Sequence, residues 1–278
     1  MSAGTAADPL ARLAALPGVE AAVAAVRTAV DGVYGHRVMR RRSPEVAAES
    51  ALRGARGSAA LDGADWALEE VRRRSDFGAS DDARSVGAAL RLTAEAGQLL
   101  TVWRESPSRV LARLHLVAAG GAAPEDTVGR PRLAGEPVNE PGLADPAVPE
   151  PGAEEVAARL DGLGRLVVAG SAAPALVVAA VVHGELLALR PFGTHNGLVA
   201  RVVERIVLVG AGLDPKSVTP AEVGHAEQGR DAYLAALRGY VSGTAEGVAA
   251  WIAHCGRAVE LGARESVAVC EALQRGAA

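Results

Sequence analysis

The chain has 278 residues, 49% hydrophobic and 22% charged, with a net charge of −4. That is enough for one large domain or two small ones with a sizeable core, and the slight acidity gives no general electrostatic reason to bind nucleic acid. Aromatics make up only 3%, so the core must be built from Ala, Val and Leu, and a mainly all-α protein is expected.

The first 43 residues read as one or two short helices ending in a basic cluster, Arg37, Arg40, Arg41 and Arg42. Positive side chains suit a helix C-terminus; a patch for nucleic acid is the rival reading, and no helix-turn-helix follows to support it. The opening stretch lacks the basic region and unbroken apolar run of a signal peptide. Ser43-Pro44-Glu45 has the Ser cap and first-turn Pro of a helix start, and helices are expected over about 45–56, 64–75 and 82–104. Ser106-Pro107 repeats the start signal for 107–118.

From Gly120 to Gly152 the chain turns rich in Pro and Gly and loses helical period. So long an unstructured stretch is a linker or a functional loop, and "TVGRPRLAGEPV" within it is expected to form a short β-hairpin. Helices resume at about 153–169, 174–189 and 196–211, then from Thr219-Pro220 to about Arg238, and last from about 244 to 274. The most apolar stretch, Leu166 to Leu189, is interrupted by Gly170, Pro174, His183 and Glu185; it reads as a buried helix rather than a membrane span. Cys255 and Cys270 fall on the last helix, roughly 22 Å apart at 1.5 Å per residue, beyond disulfide reach. No zinc-ligand spacing is present and no metal is expected. A reducing cytoplasm fits.

The stretch between the 174–189 and 196–211 helices reads Arg190-Pro191-Phe192-Gly193-Thr194-His195-Asn196-Gly197-Leu198-Val199-Ala200-Arg201. A Gly- and Asn-bearing loop feeding a helix N-terminus is an anion seat made of backbone N–H groups. The stretch resembles the core of the Fic (Fido) family, whose motif is His-Pro-Phe-x-(Asp/Glu)-Gly-Asn-Gly-Arg-x-x-Arg. Members of that family mostly transfer AMP from ATP to a hydroxyl side chain of a target protein. Pro191, Phe192, Asn196, Gly197 and Arg201 match in register, and His183 matches a histidine common in the preceding family helix. Upstream, "SAALDG" (Ser58 to Gly63) resembles the family's (Ser/Thr)-x-x-x-Glu-(Gly/Asn) inhibitory motif, with Asp62 where Glu is usual. The Pro/Gly-rich stretch lies where the family has its β-hairpin flap. The resemblance covers about residues 45–250.

It implies an all-α Fic-like core with a small β-hairpin flap. Residues 1–80 would be a helical extension carrying the inhibitory-like helix, 81–255 the core, and 256–278 the end of the C-terminal helix. It also implies what is missing. The family's motif histidine is a general base, and Arg190, with a pKa above about 12, cannot lose its charge near neutrality. Thr194 stands where a carboxylate holds Mg²⁺, and a neutral hydroxyl is a poor ligand for a hard cation, so Mg²⁺ is not expected through the motif. Leu198 replaces a phosphate-gripping arginine, and His195 replaces a glycine whose bareness lets phosphate approach.

Two readings follow. In the first, the chain lacks protein AMP transfer and is a binding or regulatory module for an unknown protein partner or a nucleotide, ATP or another. Arg190, Asn196, Gly197 and Arg201 then form the anion seat, and Ser58, Asp62, Gly63 and Arg201 a structural latch. In the second, the scaffold carries a nucleotidyl- or phosphoryl-group transferase, with Arg190 stabilising charge and His195 as proton acceptor. His183 is expected to be buried and bonded to backbone, and Asn196 to cap the helix after the loop. Arg201 and Arg205, one turn apart, form either a joint anion site or an internal ion-pair network with Glu204 and Asp62. His225 and His254 have no evident partner. Trp66, Trp103 and Trp251 are expected to anchor helix packing, and Phe192 to plug the loop.

Overall fold

The computed structural model describes residues 8–276, and the expectations for residues 1–7 lie outside them. Among the described residues there are twelve α-helices and three short 3₁₀ turns; the α-helices are α1 (Val19–Gly35), α2 (Met39–Leu61), α3 (Leu68–Arg73), α4 (Asp81–Ala96), α5 (Leu100–Glu105), α6 (Pro107–Ala119), α7 (Ala153–Ala169), α8 (Ala175–Leu189), α9 (Asn196–Gly210), α10 (Ala221–Gln228), α11 (Arg230–Val241) and α12 (Ala245–Arg275). Among the described residues no helix is long and apolar enough to cross a membrane.

Helix α8 is apolar on every side, and its buried residues run from Leu176 to Leu189; such a helix belongs at the centre of a bundle. It packs mainly on α9, α12 and α11, with lesser contacts to α1 and α7. Helix α12, at 31 residues about 46 Å long, is the backbone of the bundle and contacts α1, α8, α10 and α11. It is capped at one end by the Thr244 side chain, which accepts from the Gly247 N–H at 3.1 Å, and stopped at the other by left-handed Gly276. One apolar cluster reaches from Val19 to Val259, so α1 and α2 share the core with the helices that frame the loop. Trp103 and Trp251 are buried in it, and Trp251 donates to the Ala180 carbonyl at 2.7 Å. Trp66 is half-buried and stacks on Phe77.

Several expected boundaries move for local reasons. Helix α2 begins ahead of Ser43, with the backbone kinked at Arg42 (φ −120°, ψ 22°) where Pro44 removes a helical N–H. The expected 82–104 helix tightens to a 3₁₀ turn at Gly97–Leu99 between α4 and α5. The expected helix ending at Arg238 is two helices, broken at Gly229 with φ +88°.

The β-hairpin does not form. Residues 120–152 contain no strand, only turns and one 3₁₀ turn at Pro141–Leu143. They run as a strap between α6 and α7, held by side-chain bonds to the helices beneath and by single main-chain bonds to Pro191 and Gly193 between α8 and α9. Arg130 pairs with Glu136 inside the strap, and Arg238 on α11 pairs with Asp145.

Candidate functional site

The loop Arg190–His195 turns α8 into α9 within six residues, and two non-glycine residues in left-handed conformation bracket it, Arg190 (φ 42°) and His195 (φ 62°). Each costs about 1–2 kcal/mol against ordinary backbone, so the surroundings must hold the turn. Asn196 does much of this. Its Oδ1 accepts from the Phe192 N–H and its Nδ2 donates to the Phe192 carbonyl, both at 2.8 Å. Asn196 therefore clamps the loop, and does not cap α9 as expected; His195 occupies the cap position, and its side chain makes no capping bond. Phe192 is buried and stacks at 4.1 Å on His115 of α6. Burial holds His115 down to about 4, so its ring is neutral near pH 7. Phe192 also lines a groove of about 740 Å³ with Leu111 and Leu163.

The N-terminus of α9 is not left open. Glu140, carried in by the strap, places its carboxylate on it: Oε2 accepts from the Asn196 N–H at 2.9 Å and from Asn196 Nδ2 at 2.8 Å, and Oε1 from the Gly197 N–H at 2.7 Å. These are the donors that an external phosphate would use. The bonds favour the charged carboxylate, but burial and the nearby Asp62 charge outweigh them and push Glu140 up to about 7. Glu140 carries no signal in the sequence. It sits in a Pro/Gly-rich stretch without periodicity, and only the fold brings it to the loop.

Ser58, Asp62 and Arg201 come together. Arg201 is fully buried; its Nε donates to Ser58 Oγ at 2.7 Å, and its Nη2 to the Ser58 carbonyl at 3.0 Å and to Asp62 Oδ1 at 2.8 Å. Gly63, with φ +105°, turns the chain out of α2. A Cβ on Gly197 would lie 2.9 Å from Arg201 Nη1 and 3.0 Å from Asp62 Oδ1. The bare glycine is what lets this pair pass beneath the loop.

Arg190 points elsewhere. Its Nη2 donates to the carbonyls of Val148 and Pro149 at 3.0 and 2.7 Å, while its own carbonyl accepts from Arg132 Nε at 3.0 Å. It is a strap anchor, separate from the Asn196–Gly197 seat. Two main-chain bonds complete the closure, Arg132 N–H to the Pro191 carbonyl and Asn139 N–H to the Gly193 carbonyl. The ring of His195 meets the Thr194 hydroxyl at 2.8 Å, and burial lowers its pKa.

The remaining polar residues are placed differently from expectation. Arg205 does not join Arg201; it makes a buried two-pronged pair with Glu222, both contacts 2.8 Å. His183 is bonded to the Tyr233 hydroxyl at 2.7 Å rather than to backbone. His225 and His254, for which the sequence shows no partner, are buried in the core 3.3 Å apart, and His225 also contacts Glu204 at 2.9 Å.

This helical arrangement, with the loop at the α8–α9 turn, is the fold of Fic proteins. A Fic family protein from Desulfovibrio desulfuricans G20 superposes with a TM-score of 0.73 at 19% identity, over 91% of this chain and 75% of the other. Fic-1 from C. elegans follows at 0.65 and 18%, over 91% and 72%. A Fic domain containing signaling protein from Bacteroides thetaiotaomicron VPI-5482 gives 0.59 and 13%, over 90% and 97%. No protein-family model and no curated protein matches the sequence.

Proposed function

We propose that this chain is a Fic-fold binding or regulatory module that has lost protein AMP transfer and closes its own anion seat with Glu140. The observation that carries the reading is the Glu140 carboxylate on the Asn196 and Gly197 N–H groups. An anionic ligand must displace it, and the exchange becomes easier as Glu140 takes up a proton. At the position of the family's motif histidine the loop offers no base, since Arg190 stays protonated, and it offers no metal carboxylate, since Thr194 presents a hydroxyl; the one imidazole in the loop, His195, is engaged with that hydroxyl. Arg201 is committed to Ser58 and Asp62, which fastens α2 to α9. The rival transferase reading needs Arg190 to face a shared substrate with His195, yet the Arg190 guanidinium is spent on two strap carbonyls.

Incubation of the full chain with ATP and Mg²⁺, alone and with a hydroxyl-bearing peptide pool, followed by intact-mass measurement, tests this. The expected result is no AMP adduct on the chain or the peptides. An adduct that grows with time and needs ATP would overturn the reading.

A further inference from the structure

One turn beyond Arg201 on α9, Glu204 enters a second polar cluster inside the bundle. His183 of α8, Glu204 of α9, His225 of α10 and Cys255 of α12 are all essentially without solvent exposure, and one ligand atom from each lies within 4.8 Å of the others. Glu204 Oε2 stands 2.9 Å from His225 Nε2 and 3.0 Å from His183 Nδ1. The second of these pairs is not aligned as a hydrogen bond: His183 Nδ1 is left unpartnered in the core, as is Glu204 Oε1. Burying such atoms without partners is costly, so the arrangement asks for a further occupant.

We propose that His183 Nδ1, Glu204, His225 Nε2 and Cys255 Sγ form a buried structural site for a divalent transition metal of the zinc class. The orientation of the rings supports this independently of their proximity. Each histidine turns one nitrogen inward and has the other held from outside, His183 Nε2 by the Tyr233 hydroxyl at 2.7 Å and His225 Nδ1 by His254 Nε2 at 3.3 Å. That is how metal-bound histidines are oriented by their neighbours. The donor set of two imidazoles, a carboxylate and a thiolate excludes Mg²⁺ and Ca²⁺ and suits zinc. A dication with one carboxylate and one thiolate is also electrically neutral, the condition under which charge is tolerated in a dry core.

Tetrahedral zinc holds its nitrogen and oxygen ligands about 3.3 Å apart, so the pairs at 2.9 and 3.0 Å open by a few tenths of an ångström on loading. Binding releases the Cys255 thiol proton to solvent and shifts the His225 ring proton from Nε2 to Nδ1; His254 moves its own ring proton from Nε2 to Nδ1, so that its Nε2 accepts the hydrogen bond from His225 Nδ1. Four protein ligands and full burial leave no open position, so the metal holds four helices together and does no chemistry. Sequence spacing did not show the site because each ligand comes from a different helix.

The test unfolds the full chain in denaturant with chelator and refolds it with Zn²⁺, with Co²⁺ or without metal. The expected result is about one tightly held metal per chain, a higher Tm for the loaded protein, and a thiolate-to-cobalt charge-transfer band in the Co²⁺ form. That band should vanish in Cys255→Ser and persist in Cys270→Ser. Because the wild-type cobalt spectrum already reports a thiolate ligand, a variant that fails to fold does not remove the test. Refolding to the same Tm with no metal retained, or a cobalt spectrum that is unchanged by Cys255→Ser, would overturn the site.

Discussion

Glu140 is where opposing electrostatic effects meet. The N–H groups of Asn196 and Gly197 and the dipole of α9 favour its charge, while burial and the Asp62 carboxylate oppose it; the second pair wins, and the group sits near 7. A carboxyl raised above its unfolded value contributes stability that is fully present below the unfolded pKa and is lost as pH rises through the folded one. The window is therefore pH 4.5 to about 7. His115 and His195 have lowered values and act with the opposite sign, so the wild-type profile alone does not isolate the effect. The comparison with Glu140→Gln does. The variant's Tm, relative to wild type, should rise between pH 4.5 and about 7 and level off above that. Parallel profiles would mean that Glu140 does not titrate in that range.

At the scale of elements, small residues set how close the helices come. A Cβ on Gly224 of α10 would overlap the Ala258 backbone of α12, and one on Gly57 of α2 would press on the main chain at Glu222. Helix α10 is thus pinned between α2 and α12, and that seating puts His225 beside Glu204 and Glu222 beside Arg205. Gly224→Ala should destabilise the protein by at least about 1–3 kcal/mol through overpacking. Gly162→Ala, mid-helix in α7 with nothing within 4 Å, should stabilise it by about 0.5–1 kcal/mol through helix propensity. Chemical denaturation measures both; a neutral Gly224→Ala would show that α10 is not held this tightly.

The helices with clear caps or clean periodicity were legible in the sequence: α7 and α8 fall within a residue of expectation, as does the Pro107 start of α6. The Gly229 break was not, because Gly229 sits in a run whose flanking residues both continue a helical pattern. The hairpin expectation failed for a related reason. Gly and Pro mark a turn, but a two-stranded ribbon also needs paired strands, and the strap finds its partners on the helices instead.

For the whole molecule, the strap over residues 120–152 determines what the loop can do. It is tied to the C-terminus of α8 through Arg132 and Arg190, to α11 through Arg238 and the Gly142 carbonyl, which accepts from Arg230, and to the start of α9 through Glu140. The latch between Asp62 and Arg201 was legible because both residues stand in recognisable motifs. Glu140 and the His183–Glu204–His225–Cys255 cluster were not, since they are assembled only when distant segments pack. If Glu140 occupies the place of an external anion, its removal should open that place. The most direct measurement is calorimetric titration of inorganic pyrophosphate at pH 8 and low salt into wild type and Glu140→Ala, both verified as folded. Wild type should show no binding and Glu140→Ala metal-independent binding; silence in the folded variant, or equal binding to both proteins, would mean that Glu140 does not stand in an anion's place.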